Sequence, residues 1–441
     1  MVASVLRFAL LLLLLFLASV DVEGFVPTTK RSSPNWQISS IGGARESLLK
    51  ARLDQTNEDD QDDEGEAGGI DRRRALTATG LAIASLWLGD TFGTDNVASK
   101  WAASAAEEAS AAAASASGSR TVLITGCNSG IGLQGARILA RKGGGEKIIL
   151  ACRTKQKAED TAKAILVESP NANLVPAECD LASLESIKQF ASTVTGDVDV
   201  VCYNAGLALN TAGDIERTAD GFEKTVGTNH LGHFYLHHLL EPKIVATGKV
   251  VITASSVHDP ESPGGKQGVP ASLGSLEGFS RDGANFEMVD GQPYNGDKAY
   301  KDSKLCNILF CRELTRRLAD KNIVVNAFSP GLITSSGFFR YQNPIFASVF
   351  NVAVSSIFKV GETPEYGGAA LAYMTMVDST KGEFYDSPPG TSNKYASDKN
   401  DYKGAFGNEF NLAQVSKEAK DEQKGRELWK LSEKLVGISS I

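Results

Sequence analysis

The sequence predicts an α/β protein, a Rossmann-like doubly wound parallel sheet forming a single catalytic domain over residues 120–441. Three observations predict it. Short β-rich apolar runs alternate with helical patterns from Thr121 onward, a glycine-rich turn joins the first strand to the first helix, and Tyr300 and Lys304 stand four residues apart on a long helical stretch. Strand and helix in turn imply parallel strands joined by right-handed crossovers. The chain of 441 residues, 42% apolar and 22% charged with 43 glycines, can bury a sizeable core and is neither disordered, collagen-like nor a disulfide-stapled miniprotein. A formal charge of −8 leaves no basic excess to offset phosphates, so no nucleic-acid partner is expected. Six cysteines (Cys127, Cys152, Cys179, Cys202, Cys306, Cys311) are scattered with no C-x-x-C spacing, which fits reduced thiols in a reducing compartment and no metal site.

In order along the chain, Thr121–Thr125 is the first strand, running into Gly126, and 133–141 carries a helical pattern. Lys147–Cys152 is apolar and followed by a polar helix to about residue 169. Val198–Tyr203 is the next strand and 229–240 the next helix. The run 249–253 is again a strand, 300–319 a helix and 323–328 a strand.

The first strand-to-helix junction carries chemistry. It reads Thr125-Gly126-Cys127-Asn128-Ser129-Gly130-Ile131-Gly132. Gly126 allows the tight turn, Gly130 lets the backbone approach a pyrophosphate, and Gly132 lets helix pack on strand, with the helix amino end facing the anion. The second strand ends at Arg153 rather than at an acidic residue for a ribose 2′-hydroxyl. Arg153 and Lys157, one turn on, suit a 2′-phosphate, which favours NADPH over NADH. Asp180 and Leu181 are expected to flank the adenine, and Asn204-Ala205-Gly206 to close the pocket. Tyr300 and Lys304 project from one helix face, where the ammonium is expected to lower the phenol pKa and make the tyrosine an acid or base near neutrality. Ser256 is expected to hold the reacting group and Asn229 to position a water for proton resupply.

The amino end reads as address rather than fold. Residues 1–24 form a signal peptide: Arg7 precedes the apolar run 8–18, too short to span a membrane, and small Ser19 and Gly24 follow. Residues 25–119 read as a plastid transit and linker region, opening with Phe25, Pro27, Lys30 and Arg31. A signal followed by a Phe-initiated basic tract resembles the two-part plastid address of algae whose plastids lie inside extra membranes. The alternative is plain secretion, which the unpaired cysteines oppose. From 58 to 66 seven of nine residues are acidic, a solvated linker. Arg72, Arg73 and Arg74 before the apolar run 75–89, with Ala103 and Ala105 as cleavage residues, look like a twin-arginine signal; a short membrane-associated helix or a tether is the alternative. The stromal side or a thylakoid-associated position is expected, with the lumen open if the twin-arginine reading holds.

The T-G-x-x-x-G-x-G turn, N-A-G, Asn229, Ser256 and Y-x-x-x-K stand together in the order of the short-chain dehydrogenase/reductase family, which the sequence resembles from 121 to about 335. That likeness adds Pro330 and Gly331 to the cofactor set. A narrower likeness, to the light-dependent protochlorophyllide reductases, rests on 226–234 and 299–307. It also covers the insert before Tyr300 with Val269-Pro270 and Met288-Val289-Asp290-Gly291, the segment Gly337-Phe338-Phe339-Arg340, and the end from Trp429 to Gly437. It implies a small hydrophobic substrate, a tetrapyrrole, with hydride from NADPH going to one carbon of a ring double bond and a proton from Tyr300 to its neighbour, in chlorophyll biosynthesis. One departure stands out. That group carries a cysteine after Pro-Gly and a tyrosine before the proline, where this chain has Leu332 and Ser329.

Leucine has no ionisable proton and serine no π-face, so two other readings stay open: a light-independent carbonyl or alcohol reductase acting on a carotenoid or quinone, and an idle NADPH-binding or pigment-carrying protein. His230, His233, His237 and His238 gather on one helical segment, but no acidic residue or cysteine completes a ligand set, so they read as structural. The apolar segment 344–358 could cover a flat pigment, touch the thylakoid surface or pack a homo-oligomer.

Overall fold

The computed structural model describes residues 120–142, 145–209, 214–333, 359–377, 381–395, 397 and 402–438. The signal, transit and twin-arginine-like segments, the stretch Gly337-Phe338-Phe339-Arg340 and the apolar segment 344–358 lie outside the described residues.

The strands and main helices follow in the order β1 (Thr121–Thr125), α1 (Gly130–Arg141), β2 (Lys147–Cys152), α2 (Lys155–Glu168), β3 (Asn173–Glu178), α3 (Leu184–Thr193), β4 (Val198–Tyr203), α4 (Gly232–Leu240), β5 (Ile244–Thr253), α5 (Gly296–Arg317), β6 (Val324–Phe328), α6 (Pro364–Met374), β7 (Phe384–Asp386), β8 (Asn411–Leu412) and α7 (Glu422–Leu435). They build one sheet in the order β3-β2-β1-β4-β5-β6-β7-β8. All neighbours run parallel except β8, which pairs antiparallel with β7. The order reverses between β1 and β4, so the carboxyl ends of those two strands flank the crevice where ligands bind in open α/β sheets.

Period-two alternation divides the strand side chains between two cores. Val122 and Ile124 of β1, Val200 and Cys202 of β4 and Val251 of β5 pack under α1, α2 and α6. Leu123, Val201, Tyr203, Val250 and Ile252 face α3, α4, α5 and α7 on the opposite side. Helix starts are set by side-chain caps: Thr154 accepts from Lys157 N, Ser183 from Ser186 N, Asn295 from Lys298 N, Thr363 from Tyr366 N and Asp421 from Lys424 N. Asn295 therefore starts α5 four residues ahead of Tyr300, so Tyr300 and Lys304 both lie on well-formed helix.

The sequence pattern does not show β3, α3 or the elements after β6. β3 is an edge strand, half-exposed and carrying Pro176, so it lacks both an apolar run and a full set of donors. α3 follows at once.

Candidate active site

The glycine-rich turn leaves β1 and enters α1. Gly126 sits at φ +68, and a Cβ there would lie 2.8 Å from both Cα and Cβ of Ala205. A Cβ on Gly132 would meet Asn204 Nδ2 and the Gly126 carbonyl at 2.6 Å. Only glycine fits either place, because the 204–206 loop after β4 is laid directly against the turn. Asn204 Nδ2 donates to Thr125 O at 2.9 Å, and the Asn204 and Ala205 N–H groups both donate to Thr125 Oγ1 at 3.0 Å. Thr125 is thus the knot between the two loops. Asn128, Ser129 and Ile131 lie half-buried on the turn. Ser129 stands at the N-cap of α1 with no side-chain cap bond, so the first amide groups of α1 are open to an anion.

Arg153 and Lys157 follow the end of β2. Arg153 is partly exposed, with its Nε 3.9 Å from Asp180 Oδ1, while Lys157 is exposed. The structure therefore brings Asp180 to Arg153, and it separates Asp180 from Leu181: the Leu181 side chain is buried in the core beneath α4. At the other wall, Ile131, Pro330 and Ile333 converge on Gly367 of α6, where an added Cβ would lie 3.0 Å, 3.4 Å and 2.6 Å from them respectively. Gly331, at φ +80, is packed against Glu362, whose carboxylate accepts from Thr391 N and Ser392 N at 2.8 Å each. A cradle closed to any Cβ, a free helix amino end and a guanidinium at the end of β2 fit a dinucleotide carrying a 2′-phosphate.

Tyr300 and Lys304 are brought together as the four-residue spacing predicts. Lys304 Nζ lies 5.5 Å from the Tyr300 ring centroid and donates to Thr253 O at 3.0 Å. It is buried, which pushes its pKa down to about 8. A Cβ on Gly206 would sit 3.7 Å from that Nζ, so the loop after β4 lies directly beside the ammonium. The phenol behaves differently from the expectation. Burial pushes its pKa above the ordinary tyrosine value, and the hydrogen bond with Ser255 pulls in the other direction without prevailing. The ammonium lies over the ring rather than at the hydroxyl, so it does not drive the phenol downward.

Ser255, the neighbour of Ser256, is hydrogen-bonded to the Tyr300 hydroxyl. Ser255 keeps an extended backbone (φ −169, ψ 151) and so shares the strand face of Thr253, whereas Ser256 has already entered the following 3₁₀ turn. The adjacent pair Ser255-Ser256 gave no sequence signal as to which one the strand would aim.

Asn229 lies in a single π-turn, Gly227–Leu231, fully buried. Its Oδ1 accepts from Leu207 N and its Nδ2 donates to Leu207 O, both at 2.9 Å, and Nδ2 also donates to Ser303 Oγ at 3.0 Å. The side-chain amide clamps the loop after β4 to α5. Its backbone carbonyl accepts from His233 Nδ1 at 3.1 Å, and His233 Nε2 lies 2.9 Å from Thr125 Oγ1. A carbonyl only accepts, so Nδ1 carries the proton and Nε2 is the acceptor for the threonine hydroxyl. Burial holds this ring neutral, with a pKa pushed down to about 4. Sequence reading filed His233 with a group of structural histidines; the structure makes it the link between the glycine turn and Asn229. Its helical neighbours have other partners: His230 Nε2 faces Ser432 Oγ, and His237 Nδ1 faces Tyr203 Oη.

The two departures differ in placement. Ser329 is 1% exposed, its hydroxyl bonded to the buried Asp386, whereas Leu332 is 38% exposed.

The fold and the site together define a nicotinamide-dependent oxidoreductase of the doubly wound α/β class. The short chain dehydrogenase family model matches residues 120–283. The chain is 36% identical to the chloroplast protochlorophyllide reductase of Daucus carota over 72% of this chain and 78% of the carrot protein, and 34% identical to that of Chlamydomonas reinhardtii over 73% and 79%. A crystal structure of an uncharacterized protein from Mycobacterium paratuberculosis superposes with a TM-score of 0.51 at 29% identity, over 73% of this chain and 97% of that one. The chain belongs to the short-chain dehydrogenase/reductase family, and within it is similar to the chloroplast protochlorophyllide reductases. It is an NADPH-dependent oxidoreductase.

Proposed function

We propose that this chain reduces protochlorophyllide, or a closely related tetrapyrrole, in the plastid. The observation that carries the reading is the joined constellation of Tyr300, Lys304, Ser255 and Asn229 against the glycine turn, in a chain about one-third identical to protochlorophyllide reductases. The relatives' chloroplast names support the plastid, and the stromal or thylakoid-associated side is the position at which NADPH is expected.

NADPH, when bound, supplies the hydride. Thr125 to Gly132 and the open amide groups of α1 hold its pyrophosphate, Arg153 and Lys157 its 2′-phosphate, and Asn204 to Gly206 with Pro330-Gly331 enclose it from the two sides. Lys304, beside Gly206, is placed to hold a ribose hydroxyl. Tyr300 keeps its proton at neutral pH because burial disfavours the phenolate, so it acts as an acid. Ser255 aligns that O–H toward the substrate. Asn229 and His233 fix the loop and the turn relative to α5, and a small hydrophobic substrate lies over Tyr300, with Leu332 at its edge.

The test is illumination of the purified protein with NADPH and protochlorophyllide, followed by absorption spectroscopy. Light-driven conversion that is lost in Tyr300→Phe, with NADPH binding kept, supports the reading. A second reading is favoured by Leu332 and Ser329: a light-independent reductase of a hydrophobic carbonyl compound. Dark NADPH oxidation with a ketone, abolished by Tyr300→Phe, together with no photoconversion, would establish it over the first.

A further inference from the structure

Beyond that reading, two thiols meet inside the cofactor cradle. Cys127 occupies the glycine turn between Gly126 and Asn128, and Cys152 is the last residue of β2, directly before Arg153. Their Sγ atoms are 3.6 Å apart. Among the described residues no other two thiols are in contact, although all six cysteines are free and buried. The sheet brings the two segments together: Thr125 of β1 is in register with Ala151 of β2 and Gly126 N donates to Ala151 O at 2.8 Å, which sets Cys127, the residue after Gly126, beside Cys152, the residue after Ala151.

We propose that Cys127 and Cys152 form a reversible disulfide that switches off NADPH binding, with a peroxide as the oxidant. The two thiols are not equivalent. Hydrogen bonding from Cys127 and the nearby charge of Lys157 pull the Cys152 thiol down, whereas burial pushes Cys127 well up. Cys152 is therefore the attacking sulfur and Cys127 the resolving one. In the first step the Cys152 thiolate attacks one peroxide oxygen and the O–O bond breaks. Cys152 becomes a sulfenic acid, and the hydroxide released takes up the proton that Cys152 had lost, leaving as water. In the second, Cys127 sulfur attacks the sulfenyl sulfur, the S–S bond forms, the S–O bond breaks, and a second water carries away the Cys127 proton. Two thiols lose two electrons and one peroxide is reduced to two waters; a dithiol reductant reverses the change.

Disulfide closure needs sulfurs at about 2.05 Å, so the pair must draw together by about 1.5 Å from the 3.6 Å observed. That movement falls on a turn with no slack. Gly126 is already against Ala205, and Gly132 against Asn204. The segments displaced are those assigned to the pyrophosphate and, through Arg153, to the 2′-phosphate. Because both thiols are buried, oxidation requires local opening of the turn, and NADPH seated on the turn protects them.

The experiment treats the purified full chain with hydrogen peroxide, with and without saturating NADPH. It reads the Cys127–Cys152 linkage by peptide mass spectrometry and NADPH affinity by nucleotide fluorescence. The expected result is a 127–152 cross-link, a loss of NADPH affinity of about tenfold or more, recovery with dithiothreitol, and slower oxidation when NADPH is present. Cys127→Ser and Cys152→Ser, each compared with itself before and after peroxide, should show no change in affinity. The proposal is overturned if both thiols stay free, if the cross-link forms and NADPH affinity is unchanged, or if either serine variant still loses affinity on oxidation.

Discussion

Replacing Ser255 by alanine removes the hydroxyl bonded to the Tyr300 phenol and leaves Ser256 in place one residue on. The phenol is half-buried and keeps Lys304 over its ring, so the substitution changes one partner of its O–H and nothing in the helix that carries it. Losing a typical hydrogen bond at a half-buried hydroxyl costs about 0.5–1.5 kcal/mol, which corresponds to roughly a 2- to 13-fold loss in the proton-transfer step. NADPH binding should stay within about twofold, because Ser255 touches neither the glycine turn nor Arg153. Ser256→Ala, which alters the first residue of a surface turn, should change turnover by less than about twofold. The assay is steady-state turnover of both variants, light-driven or dark as the substrate requires, with NADPH affinity measured alongside. A loss confined to Ser256→Ala, or one of equal size in both variants, would refute the assignment of Ser255.

The remaining predictions concern charge. Arg153→Asp should weaken NADPH roughly ten- to a hundredfold and NADH far less, because a charge-assisted phosphate bond is worth about 1.5–3 kcal/mol; equal losses in titrations with the two cofactors would remove Arg153 from the 2′-phosphate site. Since Lys304 titrates at about 8, kcat/KM should fall above that pH with the loss of one proton. In Lys304→Arg, which stays charged, any residual activity should lack this alkaline limb in the pH–rate profile. His230 and His233 are held neutral, with pKa values pushed down to about 3 and about 4, so the unfolded chain binds more protons than the folded one below pH about 6.5. Their stabilising contribution is complete above that pH and shrinks as the pH falls toward 4. Each should cost about 2 kcal/mol by pH 5, seen as a falling denaturation midpoint whose acid slope is reduced in His230→Gln.

Much of the sheet was legible because its central strands are buried on both faces and therefore read as continuous apolar runs, as in Val198–Tyr203 and Lys147–Cys152. β3 was not, since an edge strand with Pro176 has no such run. The cofactor turn was legible for a related reason: glycine is forced where a Cβ would strike Ala205 or Asn204, and such a constraint is written in one residue type. What stayed hidden depends on where a backbone changes direction. Ser255 and Ser256 are chemically identical, and only the exit from extended to 3₁₀ backbone decides which one meets Tyr300. Helical spacing placed Lys304 beside Tyr300, but the direction of the phenol shift was set by burial, which spacing does not encode. Asn229 was found as a residue and its clamping bonds were not, because its partners Leu207 and Ser303 come from distant segments.

The two departures from the protochlorophyllide reductase pattern do not bear equally on the reaction. Ser329 N donates to Tyr385 O at 2.8 Å, its hydroxyl is bonded to Asp386, and Gly331 N reaches its Oγ at 3.4 Å. The N–H and the hydroxyl of that serine are both turned into the fold, so its side chain shapes the Pro330-Gly331 turn from behind. Burial raises the Asp386 pKa to about 7, and the serine hydroxyl is one of the few groups that stabilise its charge. Ser329 is thus coupled to a buried carboxylate rather than to the cavity. Leu332 is the opposite case: its backbone carbonyl is tied to Glu362 N at 2.8 Å, which fixes the chain, while the side chain stands partly in the open. A side chain there can touch a flat hydrophobic substrate through apolar surface and cannot give it a proton. Of the two departures only Leu332 presents its side chain to the outside, so a difference in reactivity from the relatives should be sought at that position before Ser329.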